Sequence, residues 1–323
     1  MKEWQKQLKF DPLPYLNSSG NVAIQYFVDR DLLEREVEPI ESLWNQQYAQ
    51  KIIKKQLDDG SWKHPRKPHK YPENMNLFAT FKSLRELVPK YGFNKKHKCI
   101  QKAAEYVFSC QTEEGDIRGI YCNQYMTNYM GALMELLNMA GYHDDPRMER
   151  GFQWLFSMRH TDGGWGLAML TIHSTWEEVY ALPDPVPPDK SKPSSHWLTG
   201  MVLRTFAAHP KYRKREEARE AGKLLISRFF QKDKYSSRGD KSYWFKFYYP
   251  FFWTDLLSSL DSVSLLGFCK DEPQIDKALQ WFKDKQQNNG LWDLKIMMGA
   301  RDKDTHLWLN LAICRVFKRF YDV

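Results

Sequence analysis

The chain has 323 residues, 42% apolar and 27% charged, the balance of a soluble globular protein that is long for one ordinary domain but within reach of a helical barrel. Its net charge of +8 includes basic clusters at 63–70, 95–98 and 211–215, none set in a nucleic-acid-binding motif, so a solvated face is expected and no nucleic-acid partner. Five scattered cysteines with no CxxC pair exclude a disulfide framework and a zinc knuckle. The first residues hold no apolar h-region and no stretch approaches 18 uncharged apolar residues, so a cytoplasmic protein is expected, with peripheral membrane contact left open.

Residues 1–20 read as an N-terminal extension, and the rest, 21–323, as one domain. An apolar run at helical spacing comes first, at 22–33 (VAIQYFVDRDLL). A turn follows at Gln56–Trp62 (QLDDGSW), then a second apolar run at 76–87 and an amphipathic stretch at 102–111. The turn recurs as QTEEGDIRG at 111–119 and RHTDGGWG at 159–166, with an apolar run at 129–139 between them. A proline-rich segment at 171–193 (LPDPVPPDKSKP within it) reads as a long loop, followed by an apolar run at 196–206. A degenerate turn at 231–244 opens a second long loop, 234–250, rich in aromatics. Apolar runs at 255–266 and 306–317 flank an amphipathic helix, 278–286, and a last turn, QQNNGLWDL at 286–294. The first three turns are spaced by about fifty residues, the period of a helix-pair repeat. Gly60, Gly115, Gly163 or Gly290 supplies the left-handed C-cap of each turn; a Gln near the helix end can meet carbonyls freed there, and a following Trp can pack back on helix ends. Apolar helices alternating with amphipathic ones predict an all-α fold, with the apolar set inside an α/α barrel.

These turns resemble the QW-type repeats of the terpene cyclase and protein prenyltransferase superfamily, over about Asn21 to Phe320. The segments VAIQYFVDRDLL and WFKFYYPFFWTDLLSSLDSVSLLG resemble its single-toroid bacterial and archaeal members. The resemblance implies an α/α toroid whose apolar cavity, entered near the N-terminal ends of the inner helices, holds an isoprenoid chain. Three chemical motifs of that superfamily have partial counterparts here. The acid of class II cyclases is the middle Asp of DxDD, and the nearest match is Asp302-Lys303-Asp304-Thr305, with Asp304 in the donor's place and His306 beside it. An Asp before an apolar helix serves more often as an N-cap. Prenyltransferase zinc needs Asp-x-Cys, but 249–255 reads YPFFWTD without Cys, so no metal and no cofactor are expected. Asp29 and Asp31 make only a DxD, whose carboxylates point to different faces of a helix.

A pocket lining is expected from residues near the inner-helix starts: Tyr71, Asn76, Tyr125, Tyr129, His196, Trp197, Trp253, Asp255, Asp304, His306 and Trp308. Aromatic faces there would hold apolar chains, stabilise carbocations, stack on sugars, or simply fill the barrel. Three functions follow. The first is a terpenoid cyclase-like or isoprenoid-binding protein, with cyclisation started by protonation. The second is a noncatalytic toroid that binds a protein or lipid partner. The third is a carbohydrate-active α/α barrel using Asp255 and Asp304 as its carboxylate pair.

Overall fold

The computed structural model describes residues 2–65, 73–172, 175–235, 239–297 and 304–322. The N-terminal helices are α1 (Glu3–Lys6), α2 (Leu13–Asn17) and α3 (Val22–Phe27), the last continuing as a π-helix over Val28–Leu33. Then come α4 (Gln47–Ile53), α5 (Met75–Tyr91), α6 (Lys98–Ser109), α7 (Thr127–Met139), α8 (Pro146–Ser157), α9 (Ala168–Thr171), α10 (Trp176–Tyr180) and α11 (His196–Ala208). The chain ends with α12 (Glu216–Ser227), α13 (Leu256–Leu265), α14 (Pro273–Lys285) and α15 (Thr305–Tyr321). Among the described residues no strand forms, and extended backbone pairs only as isolated bridges such as Gln56–Trp62 and Gln111–Ile117. The fold class is all-α, built from the helix pairs that the periodicity predicts.

Cα packing groups the chain into two compact units, Ile40–Ala221 and Met1–Pro39 with Gly222–Val323. The two kinds of helix are plain in the first. On α8 the buried positions Met148, Gly151, Phe152 and Leu155 form one stripe, with Glu149, Arg150 and Gln153 exposed between them. Helix α11, by contrast, is buried on every side from His196 to Ala207. In the second unit α14 repeats the striped pattern through Ile275, Ala278, Leu279 and Phe282, and α15 is buried on every side over Trp308 to Cys314. Within residues 2–20, Trp4 is wholly buried.

The recurring turn explains how the pairs stack. Gln56 donates through Nε2 to Gly60 O at 2.9 Å in its own turn and to Cys99 O at 2.8 Å, in the first turn of α6. Gln111 does the same to Gly115 O and to Arg147 O of α8, at 2.7 and 2.8 Å. Gln286 reaches Gly290 O and Phe10 O, both at 2.8 Å, and its Oε1 accepts from the Lys9 and Phe10 amides. The first residues of the chain thus stand where the next outer helix stands in the earlier turns. In the third turn Arg159 replaces Gln and donates from Nε to Gly163 O at 2.9 Å. Tryptophans close the first, third and last turns from the other side. Indole Nε1 of Trp62, Trp165 and Trp292 donates to Ile52, Leu155 and Phe282 O, each ten residues back.

Glycine is required where these turns meet the next helix. Gly60 has φ +89°, and a Cβ there would lie 2.2 Å from Lys102 O; at Gly115, φ +105°, it would lie 2.7 Å from Arg150 O. Both obstacles are backbone and cannot swing aside. Gly60→Ala therefore combines a forbidden φ with a clash, and we expect a loss above about 2 kcal/mol. Gln111→Ala removes the glutamine donor from Gly115 O and the second of two donors from Arg147 O, and should cost about 1–2 kcal/mol. Urea unfolding of both variants measures these losses; a change below about 0.5 kcal/mol for either would refute the turn's role.

Candidate functional site

In the unit Ile40–Ala221, the N-terminal ends of α5 and α7 gather aromatic rings. Asn74 caps α5, its Oδ1 accepting from Leu77 N at 3.0 Å, and this places Phe78 and Phe81 in the first two turns. Thr127 opens α7 by donating to Gly166 O at 3.1 Å, and two residues on, Tyr129 meets the edges of Phe78 and Phe81, both at 5.7 Å. Tyr121 comes from a tight reversal in which Gly119 (φ +125°) and Cys122 (φ +53°) both take left-handed backbone. Its ring lies 5.6 Å from Tyr129.

A fifth and sixth ring come from the long loop. Thr175 and Glu178 form a capping box that starts the short helix α10. Trp176 and Tyr180, one turn apart on it, share a face. Trp176 stacks on Tyr121 at 5.1 Å and 22°, and Tyr180 lies 5.7 Å from the same ring. Burial pushes the Tyr180 hydroxyl up from its ordinary range, with Tyr121 and Glu73 adding to the shift. The Lys82 ammonium sits 4.1 Å above Phe78, a cation already seated on a ring of this cluster. The arrangement is a group of half-buried and buried π-faces: Phe78, Tyr121, Trp176 and Tyr180 keep some exposure, while Phe81 and Tyr129 do not.

The residues expected from the sequence are distributed differently. Tyr129 is in this cluster. Tyr125 is close in sequence but engaged elsewhere: its hydroxyl donates to Glu114 at 2.6 Å and Arg118 covers its ring at 4.8 Å. Asn76 serves the first repeat turn, accepting from His64 N at 3.1 Å. His196 and Trp197 begin α11 in the same unit, both buried. Tyr71 and Asp302 lie outside the described residues.

The remaining expected residues belong to the second unit. Asp255 is wholly buried and caps α13, accepting from Ser258 N at 2.8 Å. Trp253 meets Phe252 edge to face at 4.2 Å. Trp308 is wholly buried between Tyr249 and Phe27, at 6.1 and 6.0 Å. Asp304 stands at the N-cap position of α15, half-buried. Its carboxylate accepts from Asn21 Nδ2 at 2.8 Å, and Asn21 Oδ1 in turn caps α3 through Ala23 and Ile24 N. His306 is exposed, with Nδ1 4.0 Å from Asp293. Asp29 and Asp31 diverge as a DxD on a helix should: Asp29 pairs with Arg35, and Asp31 with Arg30 and Arg315. Burial alone would raise the Asp31 carboxyl, but Arg315 and Arg30 hold it below its usual range. Among the described residues no group of three or more His, Cys, Asp or Glu could hold a metal ion, and no helix is long and apolar enough to cross a membrane.

Phe78, Phe81, Tyr121, Trp176 and Tyr180 were not among the residues expected. The signal for the last two was present as T-W-E-E-V-Y, a capping box with aromatics at i and i+4, inside a stretch that prolines mark as loop.

Residues 79–178 match the squalene-hopene cyclase C-terminal domain family. The chain is 26% identical over 122 residues to a probable squalene–hopene cyclase of Sinorhizobium fredii (strain NBRC 101917 / NGR234), which is 36% of this chain and 18% of that protein's length. Among solved structures it is similar to the type II terpene cyclase MstE from Scytonema, in a variant without ligand, at 12% identity and TM-score 0.45, covering 87% of this chain and 81% of that one. It is similar in the same degree to a novel alpha-amylase from Clostridium perfringens, at 14% identity and TM-score 0.45, covering 87% and 83%. The family match spans Phe81, Tyr121, Tyr129 and Trp176.

Tyr125 offers a check on its structural engagement. Burial and the Glu114 carboxylate push its hydroxyl up to about 12. A raised folded value means that stability from this group is whole below the ordinary value near 10 and is lost as pH rises through 12. Tyr125→Phe should flatten that part of the alkaline decline in urea midpoint; an unaltered profile would contradict the bond to Glu114.

Proposed function

We propose, from the resemblance of its repeats to those of the prenyltransferase and squalene-cyclase superfamily and the match of 79–178 to the squalene-hopene cyclase C-terminal domain, that this chain binds a branched apolar chain of isoprenoid type against the aromatic cluster at the N-terminal ends of α5 and α7. The observation that carries the reading is the stack of Trp176 on Tyr121, with Tyr180 tilted against the same ring, continued through Tyr129 to Phe78. Ring faces suit methyl-bearing alkenes, which bring large apolar area and no polar edge. The same faces suit a cation passing through the site, as the Lys82 ammonium on Phe78 illustrates. The expectation that the chain holds an apolar small molecule is kept; the protonation step is not assigned to this cluster. Asp304, engaged by Asn21 at the start of α15, is given a structural part in this reading, and His306 an exposed one. The carbohydrate reading loses support because Asp255 is a buried helix cap.

Farnesol titrated into the protein, followed by tryptophan emission, tests the proposal. We expect saturable binding, weakened roughly threefold to tenfold in Trp176→Ala and in Tyr121→Ala, the loss that goes with one aromatic contact. Asp304→Asn should bind as the wild type does. Farnesol binding that is absent, or insensitive to both ring variants, would remove the site from consideration.

A further inference from the structure

The segment after α10 reads Leu182-Pro183-Asp184-Pro185-Val186-Pro187-Pro188. Proline at four of seven positions leaves backbone N–H groups only on Leu182, Asp184 and Val186, so this strap cannot join a ladder or hold itself by turns. Two side chains from the reversal that carries Tyr121 hold it instead. Gln124 is 3% exposed. Its Nε2 donates to Asp184 O at 3.2 Å and more distantly to Leu182 O at 3.5 Å, and its Oε1 accepts from Val186 N at 3.0 Å. Asn123 adds a bond from Nδ2 to Pro183 O at 2.7 Å. The strap leaves α10 directly, since Leu182 N still bonds Val179 O. One short stretch, 121–124, therefore supplies both the ring on which α10 sits and the amide that fastens the chain behind it.

We infer that Gln124 is a positioning residue, a latch that keeps α10 on Tyr121 and so sets how long an apolar ligand stays in the aromatic cluster; this rests on the binding reading above. Both functions of the amide are used, donor and acceptor, which no single hydroxyl or carboxylate could reproduce at these three strap positions. The far side of the bonds faces water, because Leu182 and Asp184 are exposed. Releasing the latch hydrates those groups at little cost, so the strap opens locally while the helices beneath stay folded.

Native-state hydrogen exchange and farnesol dissociation in stopped flow test the latch together. In Gln124→Ala the Val186 amide should exchange about threefold to tenfold faster, the factor for one lost hydrogen bond, with α7 amides unchanged. Farnesol should dissociate faster by a similar factor. Gln124→Glu keeps the acceptor for Val186 N–H but sets a carboxylate against the Asp184 carbonyl, so its Val186 exchange should fall between wild type and alanine. Val186→Pro removes the same bond from the exposed side without touching the buried amide, and should speed dissociation even if Gln124→Ala fails to fold. Wild-type protein that binds no farnesol overturns the binding reading and the residence-time part with it. Unchanged Val186 exchange in both alanine and glutamate variants overturns the latch even where farnesol binds normally. Faster exchange with unchanged farnesol dissociation from Gln124→Ala and Val186→Pro overturns control of the ligand.

Discussion

One side-chain amide placed over one glycine organises the repeats. Gln56 and Gln111 each satisfy a carbonyl in their own turn and another in the first turn of the following outer helix. A carbonyl has two lone pairs, so the helix keeps its own bond while it receives the glutamine. The glycine beneath has no Cβ, and the next helix backbone occupies the space a Cβ would take. The spacing between successive outer helices is thus set by backbone contact and two hydrogen bonds, a tighter specification than apolar packing alone provides. Where the Gln is replaced by Arg159, the bond within the turn survives and the guanidinium pairs with Glu220 at 2.7 Å.

That registration carries inward through the backbone N–H that follows each turn. Trp62 and Trp165 N donate to Thr80 and Thr199 of α5 and α11, and Trp292 N to Asn310 of α15. Ile117 N takes the place of the tryptophan at the second turn and lies 3.2 Å from Met130 Sδ of α7. Each turn therefore fixes an inner helix as well as an outer one. In the unit that holds the aromatic cluster, α7 and α11 then close on each other tightly. A Cβ on Gly131 would lie 2.8 Å from Val202 Cα, and Arg204 Nε donates to Glu135 at 2.8 Å in a buried pair. Tyr129 stands on this rigid helix, whereas Trp176 and Tyr180 arrive on five residues of α10 backed by a proline strap. A firm floor and a lightly fastened cover are what a site needs if it is to admit a large apolar molecule without exposing its core.

The repeat, the alternation of striped and fully apolar helices, and the turn chemistry were legible because each rests on local geometry: a left-handed glycine, a terminal carbonyl, a 3.6-residue stripe. The cluster itself was legible only at Tyr129. Tyr125 is as aromatic as Tyr121 and only four residues away, yet Arg118 and Glu114 claim it, and nothing in the spacing tells which of the two rings turns inward. Trp176 and Tyr180 were hidden by the prolines that follow them, since a five-residue helix is too short to declare a period. Asp304 carries two meanings in the sequence, acid or helix cap, and its observed partner, Asn21, is 283 positions away; no pattern within the motif could name it. Residues 1–20 read as an extension because they lack the repeat, yet Lys9 and Phe10 receive the last glutamine as outer helices receive the others.

The chemistry available to the aromatic cluster follows from what surrounds it. Its rings stabilise positive charge by their quadrupoles, but a ring face neither gives nor takes a proton, so a cation there has to be delivered or made by another group. The Tyr180 hydroxyl, raised by burial, holds its proton more firmly than an ordinary phenol and is correspondingly poor as an acid. What the cluster does supply is apolar area, and the choice of ligand then turns on shape: an extended, methyl-studded chain touches several offset rings in succession, as Tyr121, Tyr129 and Phe78 are offset here, whereas a flat ring would meet only one. In the proposed reading the rings contribute binding alone, and any bond-making step would need an acid carried by the ligand or held outside this group of rings.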